Sequence, residues 1–426
     1  MKFTMTAAAA LLAGAAFTAA PAAAQSNYGG VQGAQQTAKD IQRQQEGGQQ
    51  PANAAQPKVS RGAAKALQEL QAAVNANNAA EVPAKVAAAN AVASTPDDKY
   101  MVGVLQYKYA TAAKDDTARA AALETMIASG FKGAPLADLY ADLGSTYGRL
   151  KQDARSVAAY QHALQLNPNS VDATAGLAEA KAASGQAGEA IALLQKGIAL
   201  QSAGGTKAPE AWYKRAVAIA YKAKLPQAAV LGREWVQAYP TTDAWTNALA
   251  IYQNLVQPDE TTTLDLMRLK RVTGALTPGD YFNYGDIAVR KGLSGEAKSV
   301  LDEGFANNSK VNRKDPSFSQ LYTLASTKTK GDRESLPATP AAAATAKQLL
   351  NTGDAYYGYG DYAKAVEFYR AALAKADADK NLVNLHLGMA LARQGDKAGA
   401  TAALNAAGGQ QAELAKFWLA YLSTKA

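Results

Sequence analysis

From about Lys58 onward, apolar side chains recur at three- and four-residue intervals, the period that lines one face of an α-helix. The alternation expected of half-buried strands does not occur along this stretch. Alanine dominates the apolar positions, which favours helix and lets helices approach closely. Helix starts are readable too. Thr95-Pro96-Asp97-Asp98, Thr277-Pro278-Gly279-Asp280 and Asp315-Pro316 each place an oxygen-bearing cap before a proline in the first helical position. The pattern predicts an all-α chain.

Similar stretches recur at about 34 residues, the period of helix-pair arrays, as from Leu143-Gly144 to Leu177-Ala178. Along 136–168 the order is Tyr140, Leu143-Gly144, Tyr147, Tyr160, Ala163 and Pro168. Along 353–373 it is Gly353, Tyr356, Gly360-Asp361-Tyr362, Ala365, Tyr369 and Ala372-Leu373. These stretches resemble the tetratricopeptide repeat. The resemblance implies a right-handed α-solenoid of antiparallel helix pairs, in which a small residue of the first helix faces a small residue of the second, large residues fill the surrounding holes and a glycine permits the turn. Weaker copies run through Leu177-Ala178, Gly185 and Ala190; Trp212, Ala216, Ala228 and Pro240; Tyr281, Gly285, Gly292 and Ala297; and Leu387-Gly388, Gly395 and Ala400. Ser156 and Lys181 depart from the pattern, the first where alanine and the second where a large apolar residue is expected. Segments 61–95 and 97–131 read as helix pairs without the full signature.

The chain divides by composition. Residues 1–24 carry one positive charge, an apolar run from Ala7 to Phe17 and the exit Ala22-Ala23-Ala24, the pattern of a secretory signal peptide cleaved after Ala24. Residues 25–58, rich in Gln, Ala and Gly, lack the apolar side chains needed to offset ordering entropy and read as a disordered tether. A helical-repeat array is expected over 59–326, a charged then Pro-rich linker or hinge over 327–341, and a shorter array over 342–426. The last ends in a helix bearing Leu414, Phe417, Trp418 and Tyr421, expected to cap the final repeat.

The formal net charge of +8 falls to +7 without Lys2, and no run of five like charges occurs. An exported chain of this kind meets lipid head groups, polysaccharides and acidic proteins rather than nucleic acid. No segment is apolar enough to span a bilayer. Cysteine is absent, which excludes disulfides and a lipid-bearing cysteine. The expected location is the periplasm.

Catalytic and cofactor signals are weak. Gly358–Ala363 fits G-x-G-x-x-A but links two helices rather than a strand and a helix. Asp377, Asp379 and Asn381 have calcium-loop spacing, yet Leu382 stands where glycine is needed and Gly388 where the closing acid is needed. The two histidines, His162 and His386, offer zinc too few ligands. No catalytic residue, metal ligand or cofactor site is expected, and the chain reads as a non-enzyme.

Four tyrosines, Tyr356, Tyr357, Tyr359 and Tyr362, crowd into seven residues. In the repeat register Tyr356, Tyr362 and Tyr369 fall in the core, Tyr359 over the turn, and Tyr357, rotated by about 100°, toward the concave groove. The resemblance implies that first helices line that groove, making Arg149, Tyr213, Phe282, Arg290, Tyr357 and Arg393 the candidate contacts for a protein or peptide partner. The family's lysine–asparagine–arginine clamp for a terminal carboxylate is missing, because these arginines belong to repeats that are not neighbours. The expected function is a periplasmic interaction scaffold for an envelope protein. The alternative, a carrier or receptor for a saccharide or cell-wall polymer, requires Tyr357 and Trp245 to be exposed along one groove.

Overall fold

A computed structural model describes residues 56–307 and 310–425. The leader and nearly all of the tether expected from the sequence lie outside the described residues. Within them the chain forms twenty α-helices and one short 3-10 turn, with no strand. It is an α-solenoid of antiparallel pairs, in two compact units, Met1–Pro209 and Glu210–Ala426.

The first unit contains α1 (Arg61–Asn75), α2 (Val82–Val92), α3 (Pro96–Ala113), α4 (Asp116–Ala128), α5 (Leu136–Arg149), α6 (Asp153–Leu166), α7 (Val171–Ala183) and α8 (Ala187–Ala203). Thr95 caps α3 through a reciprocal bond with Asp98, so the predicted start is the observed one. Close approach within and between pairs rests on glycine against aromatic. A Cβ on Gly144 would stand 2.8 Å from the Tyr160 ring, and one on Gly176 would stand 2.2 Å from it. Tyr160 therefore slots between two successive first helices, with Tyr147 and Ala163 buried around it. Both departures from the repeat pattern have a local explanation. Ser156 is buried and donates to the Gly144 carbonyl at 2.7 Å, while Lys181 buries its stem and places Nζ 2.9 Å from Glu189.

The second unit contains α9 (Glu210–Lys222), α10 (Gln227–Ala238), α11 (Thr242–Val256), α12 (Glu260–Thr273), α13 (Pro278–Arg290), α14 (Ser294–Asn307), α15 (Pro316–Ser335), α16 (Ala346–Gly358), α17 (Tyr362–Leu373), α18 (Lys380–Gln394), α19 (Lys397–Ala406) and α20 (Ala412–Ser423). Helices α9 to α14 stack as three pairs. Then α15 packs on α13 and α14 without a second helix of its own, and α16 returns to α14. From there α16/α17 and α18/α19 stack on, and α20 packs on α18 and α19 and also on α10 and α12. Arg233 of α10 pairs with Glu413 of α20, and the Tyr252 ring meets Phe417 edge-on with centroids 5.5 Å apart. The unit closes on itself, so its final helix does more than cap the last pair.

This architecture corrects the predicted division at 327–341. Most of that segment's charged part is the end of α15, and the Pro-rich remainder is held by side chains of α16, of α17 and of the turn after α17. Tyr356 donates to the Pro337 carbonyl, Lys364 to that of Ala338 and Lys375 to that of Ala342. Polar, Pro-rich composition marks the place where stacking changes direction rather than a domain boundary.

Turns between paired helices share one device, a left-handed residue after the first helix. Glycine supplies it at Gly185, Gly292, Gly360 and Gly395, but lysine does so at Lys114, Lys151 and Lys224. An L-residue in this region costs about 1–2 kcal/mol, part of which glycine gives back as chain entropy. Lys151→Gly is therefore expected to stabilise the protein by about 0.5–1 kcal/mol. Thermal unfolding followed by circular dichroism checks this, and an unchanged or lower midpoint would contradict it.

Candidate functional site

The sequence candidates are scattered. Arg149 lies in the first unit, where Nε stands 2.9 Å from both Asp116 carboxylate oxygens. Arg290 pairs with Glu260 at 2.6 Å and Asp286 at 3.0 Å. Arg393 donates to the Tyr362 hydroxyl at 2.7 Å through Nη2 and 3.0 Å through Nε. Asp116, Glu260 and Tyr362 are each the first residue of the second helix in the preceding pair. The three arginines, all at the end of a first helix, thus tie that helix back to its predecessor. Their spacing recorded an inter-repeat contact rather than a groove. Tyr213 is half-buried against Tyr239, and Phe282 is exposed with one edge-on contact to Phe318, away from the other candidates.

Tyr357 and Trp245 are 7% and 2% exposed, which corrects the placement of Tyr357 in an open groove and removes the main support for the saccharide reading. The reason is the extra contact of α16. Gly358 lies so close to α14 that a Cβ there would meet the Glu296 Cβ at 2.7 Å and its backbone nitrogen at 3.1 Å. The face carrying Tyr357 is buried by α14, a neighbour outside the repeat register. Tyr356, expected in the core, is half-buried, its ring tilted against Phe368. Tyr359 covers Gly295, where a Cβ would stand 2.2 Å from the ring, and donates to the Thr329 carbonyl. Tyr369 is buried beneath Gly353, as Leu404 is beneath Gly388.

Of the six groove candidates, only Tyr357 and Arg393 come together. Both line a solvent-open cavity of about 380 Å³ in the second unit, also bounded by Arg271, Lys298, Ser299 and Tyr362. Its floor is a buried charge cluster. Arg268, with a side chain 0% exposed, makes a two-pronged contact with Glu296 at 2.8 Å per bond and reaches Asp265 at 3.0 Å and Asp354 at 3.5 Å. Tyr284 donates to Glu296 at 2.6 Å, and Tyr369 donates to Asp354 at 2.7 Å. His386 lies between two carboxylates, with Nε2 3.0 Å from Asp265 and Nδ1 2.7 Å from Asp354. The cluster joins α12, α14, α16 and α18, and closure of the unit is what brings them together.

Burial alone would push the His386 imidazolium toward neutrality, but the carboxylates of Asp265 and Asp354 override it and raise its pKa to about 10. Burial alone would push Asp354 up, but His386 and Arg268 hold it at about 2. A group raised in the folded state stabilises fully below its unfolded value and loses that contribution as pH rises through the folded one. The His386 contribution is thus full below about pH 6.5 and gone above about 10. That of Asp354 has the opposite sense: it is full above about pH 4 and is lost as pH falls through about 2. All four tryptophans of the chain lie in the second unit, so their fluorescence reports its unfolding alone. The urea midpoint should fall between pH 7 and 10, and the His386→Gln variant should show a flatter profile. Parallel profiles would contradict the assignment.

This chemistry suits charge storage and positioning. Held as an imidazolium between two carboxylates, His386 has no lone pair to act as a base at neutral pH, and Glu296 already accepts three hydrogen bonds. Asp377, Asp379 and Asn381 are also occupied, accepting from the backbone nitrogens of Ala346, Leu382 and Gly408. No cluster of acids and histidines suited to a metal occurs among the described residues. Sequence reasoning missed Arg268 and Asp265. The available signal was "TLDLMRLK", in which charges are embedded in an apolar run and α12 is buried on every side from Leu264 to Lys270.

Residues 152–202, which span α6, α7 and most of α8, match the tetratricopeptide repeat family. No curated protein matches the sequence. Solved structures of similar chains include a tetratricopeptide repeat protein from Parabacteroides merdae, 11% identical, with 69% of this chain and 99% of that one covered and a TM-score of 0.28. Another is the C-terminal part of a TPR repeat-containing protein from Cytophaga hutchinsonii, 12% identical, covering 75% and 98%, with a TM-score of 0.30. A third is PilW, described as a type IV pilus biogenesis factor, 15% identical, covering 62% and 99%, with a TM-score of 0.28. The tetratricopeptide repeat is in general a module for protein–protein interaction, and no helix among the described residues is long and apolar enough to cross a membrane.

Proposed function

We propose that the protein is an exported, non-enzymatic scaffold that holds a segment of another envelope protein at the cavity of its second unit. The observation that carries this reading is the cavity itself: a polar recess of about 380 Å³, on a unit locked by its own last helix and by the buried Arg268 cluster. A rigid recess binds without an ordering cost in the receptor. Export is supported by the leader pattern of residues 1–24.

Two measurements test the reading. Mass spectrometry of protein recovered from the periplasmic fraction should show an N-terminus at Gln25; an intact Met1 in the cytoplasmic fraction would overturn export. Residues 25–426 should retain a discrete protein from an envelope extract, and Arg393→Glu should lose it while remaining helical by circular dichroism. Equal retention by both would overturn the site.

A further inference from the structure

The hydrogen-bonding inventory of the cavity is one-sided. Its acceptors are committed: Glu296 to Arg268 and Tyr284, and Asp302 to Lys298 at 2.5 Å. Behind the wall, Glu303 accepts from Arg271 at 2.7 Å, and the Ser299 hydroxyl oxygen accepts from Arg271 at 2.8 Å. Donors are left over. Ser299 and Tyr362 each accept from an arginine and keep their own proton to give. The Tyr357 hydroxyl has no hydrogen-bond partner among the described residues, although its ring is pinned by the Arg268 guanidinium 4.9 Å from the centroid.

Charge is equally specific. Of the four cations lining the cavity, Arg268, Arg271 and Lys298 each carry an ion pair, whereas Arg393 has no carboxylate partner among the described residues. Arg271 is close enough to oppose the charge on Arg393, whose nearest compensation is the buried floor, where Arg268 and His386 face the three carboxylates of Glu296, Asp265 and Asp354 without an ion pair to Arg393 itself.

We infer that the cavity binds one carboxylate, presented by an acidic side chain of a partner segment, with Arg393 supplying the charge and Tyr357, Tyr362 and Ser299 supplying donors. An acceptor-only monoanion matches a wall whose unspent groups are donors and whose one cation without an ion pair is Arg393. A phosphate, with nearly two charges, would bring more negative charge against the Asp302 and Glu296 carboxylates. The partner segment is the part that rests on the scaffold reading above. The site lies between the second helices α12 and α14 and the successive first helices α16 and α18, so it differs from a groove lined by first helices alone.

The test uses the full chain and a capped hexapeptide with one glutamate among leucine, alanine and glycine, its glutamine counterpart, and free propionate. By calorimetric titration the glutamate peptide should bind at least tenfold tighter than the glutamine peptide. Arg393→Gln should reduce that ratio below twofold, while Arg290→Gln, outside the cavity, should leave it intact. Equal binding of the two peptides would overturn the carboxylate assignment and leave the scaffold reading standing. Arg393-dependent binding of propionate without the peptide would overturn the partner segment and with it the scaffold reading at this site. Binding of neither, with Arg393-dependent protein capture retained, would overturn this inference alone.

Discussion

Replacing Arg268 by methionine is expected to destabilise the second unit by about 3–5 kcal/mol, the usual cost of removing one partner from a buried ionic cluster. The side chain is 0% exposed and faces Glu296, Asp265 and Asp354, so its loss leaves three carboxylates against the single His386 imidazolium. A carboxylate without its partner escapes the penalty by taking up a proton, so the deficit should shrink as pH falls toward 5. Urea unfolding at pH 7.5 and pH 5, followed by tryptophan fluorescence, measures both effects. A loss below about 1 kcal/mol, the range of exposed pairs, would show that the cluster does not hold the unit together. Removing the whole cluster is a different experiment, since apolar replacements of buried ion pairs are often neutral or stabilising. Its contribution is directional: it fixes which helices meet.

Phe417→Ala is expected to cost about 3–5 kcal/mol, as for other fully buried aromatic side chains cut to alanine. Where that cost appears matters more than its size. Phe417 is 0% exposed and touches Tyr252 of α11 and Arg233 of α10, far from its own place in sequence. Hydrogen exchange in the variant should therefore quicken in 227–256 as well as in 380–406. Faster exchange confined to 380–406 would mean that α20 merely caps the last pair, as the sequence alone suggested.

Features fixed by near neighbours were legible. The Thr95–Asp98 and Thr277–Asp280 caps, the Gly144 and Gly353 contacts and the turn at Gly360 follow from residues a few positions apart or one helix away. The lysine turns were not legible, because a Schellman-type end needs a left-handed residue and lysine does not announce one. Tyr356 and Tyr357 were exchanged because a helix facing one partner buries one stripe, whereas α16 faces both α17 and α14. The cavity was the least legible feature. His386 and Asp265 are 121 residues apart, and Arg233 and Glu413 are 180 apart, separations that no repeat period encodes. Of the groove candidates only Tyr357 and Arg393 line the cavity, while Tyr359 and Tyr362 were named for the turn and the core.

The most direct test of the account is site-specific photo-crosslinking in cells. Val272, which lines the cavity and has no polar role there, is replaced by benzoylphenylalanine, with Thr323 on the exposed side of α15 replaced as the control. The account predicts a discrete crosslinked protein from position 272, none from 323, and loss of the product when Arg393→Glu is added. Crosslinking at 323 equal to that at 272, or no product at 272, would contradict it.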